Sequence, residues 1–415
     1  MMDHVILHSD MNNFYASVES LYNPAFREKP MAVVGDPKSR HGIVLAKNYH
    51  AKQYGIQTGD PIWMAKQKCP DIIFSEPHYD RYIHFSQMAR EIYEEYTDQV
   101  ESFGLDECWL DVTGVQDLFG SGKQIADTIR ERVKFELGLT ASVGVSYNKI
   151  FAKLGSDLHK PDATTVIGRD FREKIWYLPA DMLLYVGRAT YEKLRSRGIK
   201  TIGDLAQTDP SYLEQLLGKN GLMLWAFANG LDTLPVSPTG TRRILKTIGN
   251  STTAPRDLIT EDDIKITLYI LAESVAERMR REQFCCKGVQ IMIRDNQLTS
   301  FERQGRLQSP TCTSQDIFYK AHELFNRNKP ENPVRSLGVR AIQLITREYQ
   351  QLSFLEESVK RQKQEDLERA VDNIRSRFGH FSVQRGIMLL DPILSRLDPV
   401  AEHTIYPEAF LKSKT

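Results

Sequence analysis

Asp10 ends an apolar run, Val5-Ile6-Leu7-His8, and opens a stretch with helical spacing. Asp106 and Glu107 stand side by side and lead into Cys108-Trp109-Leu110-Asp111-Val112. If these two segments pair as neighbouring strands, three carboxylates meet at one place. Such a cluster suits Mg²⁺, which takes hard oxygen ligands and keeps several waters. Two such ions about 4 Å apart can hold both the attacking and the leaving oxygen of a displacement at phosphorus. In isolation the same residues read equally well as a helix N-cap and a pair in a hairpin turn. The elements around them decide between the two readings.

Residues 5–8 read as a strand. In residues 12–21, Phe14, Val18 and Leu21 share one helical face, and Asn23-Pro24 closes the helix. Residues 30–35 and 42–46 are short buried strands, and 82–96 is a helix. An apolar hairpin spans 100–112 around Gly104, followed by a helix over 124–135 and a strand over 140–145. Strand, helix, hairpin, helix, strand is the ferredoxin-like order, here with an insertion before the hairpin. Residues 171–233 read as all-helical. The stretch 234–241, with two prolines and small polar residues, reads as a linker. A second strand–helix–strand–strand–helix–strand order fills 242–346, and a charged tail, helical over 371–390, completes an α+β multidomain chain.

The 415 residues carry 54 basic and 54 acidic side chains. That balance excludes a uniformly basic nucleic-acid binder, yet residues 241–347 hold about 18 Lys/Arg against 12 Asp/Glu. With 41% hydrophobic and 26% charged residues, the composition is that of an ordinary globular protein. No run of about eighteen apolar residues offers a membrane span, and the opening residues are too polar for a signal peptide. A cytoplasmic protein is expected. Five cysteines, none in a CxxC pair, read as reduced structural thiols.

Three long segments carry a resemblance. Ser9-Asp10-Met11-Asn12-Asn13-Phe14-Tyr15-Ala16-Ser17-Val18-Glu19 resembles the opening motif of Y-family DNA polymerases, closest to the polymerase IV (DinB-like) branch and its Gram-positive members. Residues 100–113, around Leu105-Asp106-Glu107-Cys108, resemble the second carboxylate motif. Residues 142–161, from Ser142-Val143-Gly144-Val145 to His159-Lys160-Pro161, resemble a third. The order and separations fit, and the likeness covers roughly residues 4–355.

The resemblance implies an error-prone, template-directed polymerase that extends primers across damaged template without proofreading. It implies a ferredoxin-like palm (1–22 and 78–170), fingers (23–77), a helix-hairpin-helix thumb (171–233), a linker (234–241), a four-stranded α/β little finger (242–346) and a tail (347–415). By this likeness Asp10, Asp106, Glu107 and the Met11 carbonyl hold two Mg²⁺, with Mn²⁺ able to substitute. Asp111 is expected as a structural cap. Tyr15 falls at the sugar steric gate, with Phe14 in the pocket floor. Tyr49, Lys52 and Lys160 fall on the triphosphate, and Ile43 and Leu45 roof the nascent pair.

Some positions depart from the family pattern. Lys52 stands where many members have arginine, Ala46 lacks a hydroxyl, and Tyr185 replaces the first glycine of the hairpin's Gly-x-Gly. Gly187 and Arg188 remain to meet a DNA phosphate. Arg242, Arg243, Lys246, Arg294, Arg303, Arg306, Arg335 and Arg340 are candidate contacts to the DNA backbone. Gln351-Leu352-Ser353-Phe354-Leu355 resembles a sliding-clamp peptide, with the usual Leu-Phe ending reversed. The expected partners are primer–template DNA, dNTP and the sliding clamp, for a monomer with no membrane attachment. A nucleotidyl cyclase shares the two-metal logic but needs neither the basic second sheet nor the clamp peptide. A catalytically dead DNA scaffold would not need the carboxylates.

Overall fold

In a computed structural model of the chain, residues 4–36, 42–241, 245–346 and 356–399 are described. Arg242, Arg243 and the clamp-like residues Gln351, Leu352, Phe354 and Leu355 lie outside them. Two compact units result, one carrying residues 4–36 and 43–241 and the other 245–399.

In the first unit, β1 (Ile6–Met11) is buried along its whole length and runs into α1 (Phe14–Tyr22). A small sheet follows: β2 (Met31–Val34), β3 (Val44–Lys47), and, after α2 (Tyr49–Gln53) and α3 (Ile62–Lys68), β4 (Ile73–Ser75). Its order is β3-β2-β4. Then come α4 (Tyr79–Glu94), the hairpin β5 (Val100–Ser102) and β6 (Glu107–Asp111), α5 (Gln116–Phe119), α6 (Gly122–Leu137), β7 (Ala141–Ser146), α7 (Lys149–Leu158) and β8 (Thr164–Ile167).

The main sheet has the order β5-β6-β1-β7-β8. Its first four strands give the ferredoxin-like arrangement, and β8 adds in parallel to β7. Apolar side chains of α4 and α6 pack with Leu7, Met11, Leu110 and Val143 to form the core on one face. The other face is covered by α7, which approaches closely because of Gly144. A Cβ there would stand 1.8 Å from the Ala152 carbonyl oxygen, so only glycine lets the helix lie on the strand.

Five further helices carry the unit onward: α8 (Phe171–Ile175), α9 (Arg188–Arg195), α10 (Ile202–Gln207), α11 (Pro210–Leu217) and α12 (Lys219–Ala228). The stretch expected as a linker is tied down in part. Val236 is buried against Ile6, Trp109 and Ala152. The Ser237 amide donates to Glu101 at 2.9 Å, and the Thr239 amide to the Asp98 carbonyl at 2.8 Å.

The second unit contains β9 (Thr247–Leu258), α13 (Glu261–Arg281), β10 (Phe284–Asp295), β11 (Ser300–Thr311), α14 (Ser314–Arg327), β12 (Val334–Thr346) and α15 (Glu356–Phe378). The element order repeats that of the main sheet, but the strand order is β11-β10-β12-β9. Both helices cover one face, meeting Val289, Ile291, Ile293, Leu337 and Val339. The tail helix lies earlier than periodicity predicts, because its buried side includes Glu365 and Glu368 and gives no apolar repeat. It stops where Gly379 takes φ 95°. Beyond it, Met388, Leu394 and Leu397 join the core of this unit. Among the described residues, no helix is long and apolar enough to cross a membrane, and the five cysteines are free and buried.

Candidate active site

Antiparallel register places Asp10 opposite Glu107, and the Met11 amide donates to the Asp106 carbonyl at 3.0 Å. The end of β1 and the start of β6 are thus fastened together at the acidic residues. Because side chains alternate along a strand, Asp10 and His8 share the face covered by α7. His8 Nδ1 lies 2.8 Å from Ser156 Oγ, and Lys153 Nζ donates to Glu107 at 2.6 Å. On the opposite face, α4 pins the same two strand ends. Tyr93 Oη meets Ser9 Oγ at 3.0 Å, and Ser86 Oγ donates to the Leu105 carbonyl.

The charges are crowded. Burial pushes the Asp10 carboxyl up to about 7, with Lys160 opposing and Glu107 and Asp106 reinforcing the rise. Burial, then the neighbouring Glu107 charge, pushes Asp106 up to about 6. Burial also opposes ionisation of Glu107, but the His8 imidazole and the Lys153 ammonium outweigh it and hold that carboxyl at about 2. The lysine is the firmer contact, since His8 Nε2 at 3.5 Å makes no full hydrogen bond. His8 itself is held neutral by burial.

No three acidic, histidine or cysteine side chains are already gathered as a metal cage among the described residues. Lysines act as the cations instead: Lys160 sits 2.6 Å from Asp10 and 2.8 Å from Asp157, and Lys153 holds Glu107. The donor set still fits divalent cations. It offers hard oxygen ligands, and burial, with the crowding of like charges, holds two of its carboxyls above their ordinary range. Asp111 accepts from the Thr113 amide at 2.9 Å and from its hydroxyl, while Val112 occupies the cap position of the short turn at 113–115.

Tyr15 lies half-buried on α1. Its phenol is raised by burial and then by the charge of Asp106, which sets it beside the carboxylates. Its ring stacks on Tyr82 at 4.1 Å with the planes 9° apart. Phe14 packs in the core between sheet and α4, with its ring tilted against Tyr15 at 5.8 Å. Tyr49 opens α2, capped by Asn48, whose Oδ1 accepts from the Ala51 amide at 3.0 Å. Burial raises its phenol, and the charges of Lys160 and Asp10 also act on it. Lys52 is exposed, its Nζ 5.8 Å from the Tyr49 ring. Tyr49 therefore lies near Lys160 and Asp10, with Lys52 beside its ring. On β3, Leu45 packs with Tyr15 against Ala16, Met31 and Val33, while Ile43 is exposed and bridges to Pro61.

The turn before α9 holds a tyrosine in the left-handed region. Tyr185 adopts φ 70°, Gly187 caps the helix in an extended conformation, and Arg188 is solvated beside Glu192.

In the second unit, the face of the sheet away from the helices carries Arg294, Arg306 and Arg340, with Gln290 and Gln304 opposite each other. Arg303 is not among them. It stands opposite buried Ile291 and donates to Asn328 beyond α14 at 3.1 Å, so alternation turns it to the helical side. Arg335 falls in a slip of register, where Arg294 faces Ser336 but Asp295 faces Val334. Lys246 is exposed just before β9.

Residues 9–157 match the impB/mucB/samB family, and residues 245–354 match its C-terminal domain. Residues 183–232 match a thumb domain described for DNA polymerase-iota. DNA polymerase IV of Acetivibrio thermocellus is 53% identical over 95% of this chain and 100% of its own. DNA polymerase IV 1 of Bacillus subtilis is 37% identical over 93% of each chain. The chain belongs to the Y-family DNA polymerases. A solved Y-family DNA polymerase chimera superposes with a TM-score of 0.72, covering 82% of this chain and 99% of its own. At 24% identity that likeness speaks for the fold. Y-family polymerases are metal-dependent nucleotidyltransferases, in keeping with the carboxylate cluster.

Sequence reasoning passed over several residues that the fold brings to this Y-family site: His8, Glu19, Tyr82, Ser86, Tyr93 and Lys153. Lys153 was readable as the residue one helical turn after Lys149 in the third motif. His8 meets Ser156 of α7, and the others act through α4, whose polar contacts leave no mark on apolar periodicity.

Proposed function

We propose that the protein is a template-directed, error-prone DNA polymerase that extends primers across damaged template by two-metal nucleotidyl transfer and lacks proofreading. The observation that carries this reading is the register of Asp10 against Glu107, with Asp106 fastened to Met11, inside a Y-family chain. Residues 1–22 and 78–170 serve as palm, 23–77 as fingers, 171–233 as thumb, 242–346 as little finger, and 347–415 as a tail holding the clamp peptide.

Asp10, Asp106, Glu107 and the Met11 carbonyl would hold two Mg²⁺, or Mn²⁺ in their place. When bound, these ions lower the barrier to attack by the primer 3′-hydroxyl and stabilise the leaving pyrophosphate. The protein supplies position and charge. Lys160, now on Asp10, is free to turn to the triphosphate once a cation takes over the carboxylate. Tyr49 and Lys52 bind the same phosphates, and lysine does so as a point charge rather than a fork. Tyr15 underlies the sugar and excludes a 2′-hydroxyl by shape. Ile43 and Leu45 roof the base pair, and their branched side chains restrict templating to one base and narrow the range of bulky lesions admitted.

Gly187 and Arg188 hold one backbone phosphate. Lys246, Arg294, Arg306, Arg335 and Arg340, with Arg242 and Arg243, give salt-sensitive affinity independent of sequence. Residues 351–355 tether the enzyme to a sliding clamp. The enzyme works as a cytoplasmic monomer.

Primer extension with Mg²⁺ and dNTPs tests this directly. Wild type adds templated nucleotides and leaves mismatched primer ends in place, and Asp106→Ala adds none. Full activity in Asp106→Ala, or steady removal of mismatched ends, would overturn the reading.

A further inference from the structure

Behind Tyr15 lies a buried carboxylate that the chemistry does not use. Glu19, on α1 one turn after Tyr15, is 2% exposed. It accepts from Tyr82 Oη at 2.7 Å and from Arg81 Nη1 at 3.0 Å, and lies 3.0 Å from His78 Nδ1. All three partners sit at the start of α4. The Tyr82 ring they anchor is the one stacked face to face on Tyr15 at 4.1 Å. Tyr79 meets both rings edge-on, Tyr15 at 6.0 Å and Tyr82 at 5.8 Å.

We propose that Glu19 is a positioning residue for sugar selection, fixing Tyr82 through its hydroxyl so that the Tyr15 ring cannot retreat from a 2′-hydroxyl. The inference rests on the reading of Tyr15 as the sugar gate.

A steric filter works only as well as its wall resists displacement. Tyr15 is half-exposed and carries no hydrogen bond of its own among the described residues. What stops its ring from sliding is the flat face of Tyr82. That ring is held at one end by packing against Phe14 at 6.2 Å and at the other by the hydroxyl on Glu19. Glu19 meets His78, Arg81 and Tyr82, so its position is determined from three sides. The extra incoming oxygen of a ribonucleotide therefore pushes against two stacked rings and an anchored hydroxyl rather than one movable side chain.

The test is the ratio of kcat/KM for a dNTP to that for the matching rNTP, measured for single-nucleotide addition with each variant. Glu19→Ala removes the anchor, and its discrimination should fall about tenfold while dNTP addition stays within about threefold of wild type. Glu19→Gln still accepts from Tyr82 and should restore most of the ratio. Tyr82→Phe, which keeps the stacked ring and loses only the hydroxyl, should fall between them. A purely structural role would lower dNTP and rNTP addition together and leave the ratio unmoved. A folded Glu19→Ala with the wild-type ratio overturns the proposal. Where Glu19→Ala does not melt cooperatively, Tyr82→Phe decides, and a wild-type ratio there overturns it equally. Failure of wild type to add any dNTP would instead overturn the polymerase reading, and unchanged rNTP exclusion in Tyr15→Ala would overturn the gate.

Discussion

Each unit of this molecule buries a cluster of charges, and the two clusters are built on opposite principles. In the second unit, Arg280 is 7% exposed. Its guanidinium donates to Asp372 at 2.7 and 2.9 Å, to the Cys312 carbonyl at 2.9 Å and to Glu368. Glu368 in turn accepts from the Ser314 amide and hydroxyl, both at 2.8 Å. Nearby, Arg375 and Arg385 both bind Glu273. Donors and acceptors are matched, and the cluster fastens the tail to α13 and α14. In the first unit, Asp10 and Glu107 each borrow a lysine, while Asp106 feels those lysines only weakly. A matched cluster holds a structure together. An undercompensated one stores a demand for positive charge, which is what a cation site requires.

Breaking the matched cluster should have the largest effect on stability. Arg280→Met leaves the buried Glu368 and the partly exposed Asp372 without their partner, which destabilises by about 3–5 kcal/mol. Chemical denaturation of the full chain should show the loss. Replacing all three residues together, as Arg280→Met with Glu368→Gln and Asp372→Asn, should recover much of it, because no buried charge is then stranded. If the single variant were as stable as wild type, the tail would be an appendage rather than part of this unit.

The same treatment of the catalytic cluster should have the opposite sign. The Asp106 carboxyl is raised to about 6, so above that pH its ionised form is less stable in the folded protein than in the unfolded chain. Asp106→Asn removes that burden, and metal-free protein at pH 8 should gain about 1–3 kcal/mol. The gain should vanish as pH falls through about 6 into the ordinary carboxylate range, where wild type takes up a proton and relieves itself. Primer extension is lost in the same variant. Denaturation of metal-free protein at pH 8 and pH 5 checks the sign, and a loss of stability at pH 8 would show that Asp106 is already compensated.

How much of this was legible in the sequence follows the same division. Apolar patterning made the fold readable: the alternation of Val289, Ile291 and Ile293 gave β10, and Phe14 with Val18 gave the buried face of α1. The reactive carboxylates were readable because their motifs are long and contiguous. What stayed hidden depends on pairing between distant segments. The docking of α15 rests on Glu368 and Asp372 against Arg280, and no apolar period announces it. Arg303 looked like any other basic residue until the register opposite Ile291 fixed its side of the sheet. Glu19 reads as an ordinary polar helix position, and only the return of α4 gives it three donors.

The smallest contrast lies within the helical part of the first unit, where backbone rather than charge is under strain. Tyr185 holds φ 70°, a region that costs a side chain with a Cβ roughly 1–2 kcal/mol. Glycine would relieve that but would gain entropy in the unfolded chain, worth about 0.5–1 kcal/mol. It would also lose the loose ring contact to Phe227 at 6.3 Å. The balance favours Tyr185→Gly by about 0.5 kcal/mol. Tyr185→Ala is the informative control, since it keeps the strain, loses the ring and should be the less stable of the two. If alanine were instead more stable than glycine by the full entropic difference of about 0.5–1 kcal/mol in thermal unfolding, the left-handed turn would carry no strain, and the missing first glycine of the hairpin would be neutral for this fold.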